Sequence, residues 1–323
     1  MNWIKKGLIY KPNNEFDWML DRAIAPICEV LTEEKVRIYF SCRDKQGRST
    51  PIFLDTDAVL PEKIISIEGI PILNFGPPGS FDDNGIFTSS LVIQGDIKYL
   101  YYAGWNQRVS VPYHLSIGLA ISENNREFKK VSNGPILDRS MHEPFFNTAP
   151  FVLRESDSWK MWYVSCTGWK LINNIQEPMY NIKLATSTDG IKWIREGTAV
   201  ETDEFGEAIG KPFVFKEDSI YKMIYSYRNS VNYRTDHSKS YRLGYAESVD
   251  GMKWTRKDNE IGIALSKNGW DSVMMEYASS YVVKGIRYLV YNGNGFGESG
   301  FGYAILENKQ INGCGSNVNL QPW

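Results

Sequence analysis

Apolar and polar residues alternate with a period of two along most of this chain, in short runs broken by Gly, Asn and Asp. Lys160-Met161-Trp162-Tyr163-Val164 and Tyr221-Lys222-Met223-Ile224-Tyr225 read as half-buried strands, and no stretch of ten or more residues has helical periodicity. The runs themselves recur. An aromatic strand entering a polar turn appears at Tyr39-Phe40-Ser41, Tyr101-Tyr102-Ala103, Trp162-Tyr163-Val164, Ile224-Tyr225-Ser226 and Val290-Tyr291-Asn292, at steps of 62, 61, 62 and 66 residues. A second marker follows in the same register. Ile182-Lys183-Leu184-Ala185-Thr186-Ser187-Thr188-Asp189-Gly190 returns as Leu243-Gly244-Tyr245-Ala246-Glu247-Ser248-Val249-Asp250-Gly251, with weaker copies at Ile117–Ser122 and Phe301–Leu306.

A fixed period of this kind means an array or a propeller. Each repeat holds about four short strands with turn residues between them. Such a unit cannot bury both of its faces alone, so five would pack radially around a channel. The expected fold is therefore all-β, a five-bladed β-propeller with four-stranded antiparallel blades, forming one domain over residues 1–323. The fifth repeat stops after its third strand, and the N-terminal residues 3–10 are expected to supply the missing outer strand and close the ring. A β-sandwich pair and an open solenoid are the competing architectures.

Composition narrows the function classes. With 36 basic and 38 acidic residues and a net charge of −2, neither nucleic acid nor an acidic membrane is expected as partner. There is no run of eighteen apolar residues, and the stretch after Lys5 and Lys6 is too short for a signal-peptide core. Cys28, Cys42, Cys166 and Cys314 lack zinc-type spacing and read as buried free thiols, which places the expectation in the cytoplasm. Aromatics make up 14 % of the chain, including ten Trp. Trp162, Trp193 and Trp254 recur in register and belong to blade packing, whereas Trp105, Trp169 and Trp270 fall outside it, in expected loops, where an aromatic face beside polar groups suits a sugar ring.

Chemistry is expected where the innermost strands begin, since a central channel collects one such entry from every repeat. The entries are Ala25-Pro26, Ser89-Ser90, Ala149-Pro150, Lys211-Pro212 and Ser279-Ser280, each preceded by an acid: Asp21, Asp82 with Asp83, Glu143, Glu207, and Asp271 with Glu276. Converging carboxylates perturb one another's pKa values, so an acidic channel mouth is expected. Arg22, His142, Asn147 and Lys211 share these segments, and Arg228, His237, Arg242 and Asn292 lie beyond the second strands or in long loops. Arg228 suits a carboxylate cluster or an anionic sugar group. None of the three histidines pairs at metal-ligand spacing, and no Ser-His-Asp elbow, GxGxxG or P-loop occurs, so neither a metal nor a cofactor is expected.

At these residues the chain resembles the five-bladed β-propeller glycosidase group that includes glycoside hydrolase families 43, 32 and 130, and particularly its bacterial members associated with surface-polysaccharide biosynthesis. The resemblance runs over the whole chain and is most specific at Ser240–Ser248, Gly269-Trp270-Asp271-Ser272 and Tyr291–Gly297. It implies three catalytic acids on the first, third and fourth repeats, onto which Asp21 falls as base or nucleophile, Glu143 as supporting acid and Glu207, after Phe205, as general acid. The chain departs from that pattern at the entries, where Ala25, Ala149 and Gly210 occupy the family's acidic places. Substrate contacts are assigned to Arg22, Asp83, Trp105, His142, Asn147, Lys211, Arg228, His237, Arg242, Asp271, Glu276 and Asn292. Three readings stay open: a hydrolase or phosphorylase acting on a small glycoside or sugar conjugate, a polysaccharide-biosynthesis transferase or lyase, and a non-catalytic carbohydrate-binding propeller.

Overall fold

A computed structural model of the protein describes residues 1–123, 127–156, 158–202 and 207–307. Cys314 and Phe205 lie outside the described residues. The chain opens with β1 (Trp3–Tyr10) and continues through β2 (Asp21–Val30), β3 (Lys35–Arg43), β4 (Ser49–Asp57) and β5 (Ile64–Ile67). The next repeat is β6 (Gly85–Gln94), β7 (Ile97–Gln107), β8 (Tyr113–Ser122) and β9 (Lys129–Lys130). The third is β10 (Asn147–Glu155), β11 (Ser158–Ile172), β12 (Ile175–Ser187) and β13 (Ile194–Val200). Then come β14 (Glu207–Glu217), β15 (Ile220–Asn229), β16 (Arg242–Ser248) and β17 (Thr255–Arg256), followed by β18 (Glu276–Val283), β19 (Ile286–Asn292) and β20 (Phe301–Leu306).

These strands pair antiparallel in chain order within each repeat. Three sheets are four-stranded: β10 to β13, β14 to β17, and β18 to β20 with β1 on the outer edge of β20. The remaining sheet has eight strands, but its two halves, β2 to β5 and β6 to β9, meet only through one parallel pair, Ser49 with Gly85. Aromatic and branched side chains fill the space between successive repeats, as with Tyr39, Phe53, Ile86, Leu100 and Tyr102 between the first two.

The turn motif that recurs in the sequence is a latch between neighbouring repeats. Asp189 Oδ1 accepts from the N–H groups of Ile191 and Lys192, and Asp250 Oδ1 from those of Met252 and Lys253. This presents the Gly190 and Gly251 carbonyls to the preceding repeat, where the Tyr101 hydroxyl and the Trp162 indole donate to them at 2.9 Å each. Trp105 and Trp169 correct the loop expectation, because they lie on β7 and β11, while Trp270 sits in a turn and stacks on Tyr291 at 5.0 Å. In the strands, neighbouring residues hold both indoles in place: Trp105 donates to Ser49 Oγ, and Trp169 packs on Tyr113 and Phe146.

Each inner strand is bulged near its start, between Ile24 and Ile27, Thr88 and Ser90, Thr148 and Phe151, Gly210 and Phe213, and Glu276 and Ser279. Within four of these bulges stands a residue in the left-handed region: Ala25 (φ 56°), Ala149 (φ 46°), Lys211 (φ 50°) and Tyr277 (φ 54°). Three of them precede proline, whose missing N–H leaves the ladder open at that point. A polar residue on the preceding second strand holds the next bulge: the N–H groups of Thr88, Tyr277 and Ala25 donate to Ser41 Oγ, Ser226 Oγ and Asn292 Oδ1. Left-handed non-glycine residues cost energy and cluster at functional sites.

Candidate functional site

The five bulge positions, Ala25, Ser89, Ala149, Lys211 and Tyr277, all line one cavity of about 480 Å³. Among the described residues its wall carries five cationic side chains, Arg22, Arg43, Lys211, Arg228 and Arg234, and no carboxylate. The expected acidic mouth is therefore replaced by a basic one. Around the cations stand Tyr113, Tyr180, Tyr233, Tyr241 and Tyr277, with Phe87, Trp105, Phe146 and Phe296 completing the aromatic wall.

Arg228 is the centre of this arrangement. It is almost fully buried, and Nε donates to the Tyr241 hydroxyl at 3.1 Å while a second nitrogen donates to the Pro178 carbonyl at 3.0 Å. Its guanidinium lies 3.8 Å from the centre of the Tyr233 ring, a contact that offsets part of the cost of burying the charge. The Tyr180 and Tyr241 hydroxyls hydrogen-bond each other. Lys211 is buried with only the Ser89 carbonyl near its ammonium, at 3.4 Å, and burial pulls its pKa down to about 8. Arg43 is also lowered, by burial and then by Arg22 beside it. Among the described residues Arg43, Lys211 and Arg228 form no ion pair with a carboxylate, whereas Arg22 pairs with Asp21 at 3.1 Å and Arg234 with Glu177 at 2.9 Å.

One acid lies behind this wall. Glu276 precedes Tyr277 in the β18 bulge, has no solvent exposure, and neither oxygen has a hydrogen bond of good geometry. Burial pushes its pKa up to about 8, against the pull of Arg22 and Arg228 and the weaker pull of Tyr277. Near neutrality it holds its proton.

The three assigned catalytic acids do not line the cavity. Asp21 is half exposed and ion-paired to Arg22. Glu143 is buried among donors: the Tyr163 hydroxyl at 2.9 Å, Asn147 Nδ2 at 2.8 Å, and Lys183 and Arg195 at 3.4 Å each. Glu207 is gripped by both terminal nitrogens of Arg256, at 2.6 and 2.9 Å. Glu143 belongs to a recurrent clamp in which the marker tyrosine of the second strand and a cation of the outer strand close on one carboxylate. Tyr102 and Lys130 close on Asp82, Tyr225 and Arg256 on Asp258, and Tyr291 and Lys5 on Asp271. The repeated glycine of the third strand belongs to the same device, since a Cβ on Gly118 or Gly244 would stand 2.2 or 2.3 Å from the Tyr102 or Tyr225 ring.

Of the assigned substrate contacts, Arg22, Trp105, Lys211 and Arg228 line the cavity, and Glu276 lies next to it. Asn147 and Asp271 are clamp members. Asn292 is buried and donates to the Ala23 and Gly300 carbonyls. Asp83 accepts the Gly79 N–H, and His142 and His237 are exposed on the surface. Arg242 donates to the Ser240, Val273 and His237 carbonyls and faces a shallower groove. The sequence reasoning missed Arg43, Arg234 and the tyrosines. A signal for one was present: Arg43, Trp105 and Arg228 each stand three residues beyond the marker aromatic Phe40, Tyr102 or Tyr225, where strand alternation turns the side chain inward. Among the described residues no cluster of three or more His, Cys, Asp or Glu is placed to hold a metal, and no helix is long and apolar enough to cross a membrane.

Set beside solved structures, this architecture is that of the glycoside hydrolase-like propellers. A glycoside hydrolase superposes with a TM-score of 0.72 at 18 % identity, over 99 % of this chain and 94 % of the other. A thermostable family-43 glycoside hydrolase gives 0.67 at 16 % identity, over 95 % and 97 % of the two chains. A member of the GH130 family of mannoside phosphorylases, which contains hydrolases that target β-1,2 mannosidic linkages in Candida mannan, gives 0.65 at 16 %, over 96 % and 94 %. No family model matches the sequence. The chain is 36 % identical over 311 residues to the uncharacterized protein Rv1502 of Mycobacterium tuberculosis, covering 95 % of this chain and all of that one. It belongs to the family of that protein.

Proposed function

We propose that the chain is a carbohydrate-active enzyme built as one five-bladed propeller domain, with β1 completing the fifth blade, and that the cavity is its sugar site. The convergence of all five bulge residues on that cavity carries the reading. The volume suits a small molecule, and aromatic faces interleaved with hydroxyl, ammonium and guanidinium groups match the mixed surface of a sugar. The pairings of β1 with β20 and of Asn292 with Ala25 support closure of the ring.

Cleavage of a glycosidic bond needs a proton for the leaving oxygen. Glu276 is the carboxyl that keeps its proton at neutral pH beside the cavity, so it takes the general-acid role that the sequence assigned to Glu207. Asp21 remains the candidate base through its contact with cavity-lining Arg22, and Glu143 supports the fold through its clamp. In a panel of glycosides and sugar phosphates, Glu276→Gln should lower turnover about 10²-fold or more while preserving binding. Wild-type turnover in this variant would remove the assignment. The lack of a carboxylate on the cavity wall among the described residues favours a second reading, a carbohydrate-binding propeller, which tight binding without turnover across the panel would establish.

A further inference from the structure

We propose that the saccharide taken by this cavity carries its own negative charge, a carboxylate or a phosphate ester, held between Lys211, Arg43 and Arg228. The inference rests on reading the cavity as a sugar site. Like charges brought together in a partly dry cavity repel one another more strongly than they would in water. The buried carboxylates Glu29, Asp82, Glu143 and Asp271 each have a cation beside them, yet these three cations have no ion-pair partner among the described residues, at the place where the inner strands converge. Glu276, behind the wall, has no hydrogen bond of good geometry and forms no ion pair with them. A neutral sugar would leave all three without an ion-pair partner. An anionic group supplies the missing counter-charge and accepts the unused N–H donors of Arg43 and Lys211. Tyr113, Tyr180 and Tyr233 then provide ring faces and hydroxyls for the remainder of the sugar.

Isothermal titration of the whole chain with four probes tests this: methyl glucoside, methyl glucuronide, glucose 1-phosphate and inorganic phosphate. The expected result is preference for one of the charged sugars over methyl glucoside by roughly tenfold or more. The winning probe distinguishes carboxylate from phosphate ester. Lys211→Met and Arg43→Gln should each remove most of that preference, and Lys211→Met should raise the Tm of the unliganded protein, because it deletes a buried, unpaired charge. Equal binding of methyl glucoside would overturn the inference and leave the sugar site standing. Inorganic phosphate binding as tightly as glucose 1-phosphate would overturn both, since the sugar would then contribute nothing. Binding by none of the probes would overturn both as well. A charged-sugar preference that survives in both variants would place the anion elsewhere.

Discussion

Glu143 and Glu276 are both buried carboxyls on segments that lead into inner strands, and their surroundings are opposite. Glu143 is surrounded by a tyrosine hydroxyl, an amide and two cations, and it repeats in Asp82, Asp258 and Asp271. Glu276 has no well-formed hydrogen bond, and its burial keeps it protonated near neutrality. A feature that recurs in four repeats serves what all four need, which is the tie between second and outer strands. The carboxyl that breaks the pattern sits at the cavity. In this propeller, recurrence marks architecture and the exception marks the candidate chemistry.

Removing each acid should therefore act in opposite directions. Glu143→Ala strands Lys183, Arg195 and the Tyr163 hydroxyl around an empty space and should cost about 3 kcal/mol, the lower end for a broken buried pair because both cations retain some exposure. Urea unfolding measures it, and a loss near zero would dissolve the distinction. Glu276→Gln should be stabilising near pH 8. With the folded pKa raised to about 8 from an ordinary 4.5, the unfolded chain releases this proton first as pH rises. The wild type thus loses stability between about pH 4.5 and 8, by up to about 1.4 kcal/mol per pH unit from this group. The difference between wild type and variant should grow across that window and be absent below it.

Periodicity made the strands and their antiparallel sheets legible, because a two-residue alternation between turn residues has few other outcomes, and residues 3–10 do pair with β20. The candidate site was legible only in position. The inner-strand entries do form the cavity, but the acids ahead of them were read as converging, whereas tyrosines and cations from strands far off in sequence capture them sideways. Spacing along one segment carries no trace of Lys5 reaching Asp271, or Lys130 reaching Asp82. The glycine of the Leu243-Gly244-Tyr245-Ala246 motif was visible as a repeat, and only the ring lying over it explains why it is glycine.

That glycine gives a finer test of the clamp. Gly118→Ala places a methyl group 2.2 Å from the Tyr102 ring, so the ring must move and its hydrogen bond to Asp82 must lengthen or break. Overpacking of this kind costs about 1–3 kcal/mol. Pairing the change with Tyr102→Phe in a double-mutant cycle should give a sum smaller than its parts, because both act on one hydroxyl–carboxylate contact. Strict additivity would mean the glycine serves something other than the clamp.

The smallest effect expected is at the chain's beginning. Lys5 reaches Asp271 at 2.5 Å from β1, the strand proposed to complete the fifth blade, and its side chain keeps a quarter of its exposure. Solvent screening limits such a pair, so Lys5→Met should cost about 1 kcal/mol, well below the loss for Glu143. Asp271 retains the Tyr291 hydroxyl at 3.0 Å, which is why the loss stops short of stranding it. The loss should shrink when Asp271 is already Asn, because the charge that Lys5 answers is then gone. If β1 were held only by its ladder with β20, Lys5→Met would be silent in both backgrounds. The outer-strand cation would then be a feature of the second, third and fourth repeats and not of the fifth.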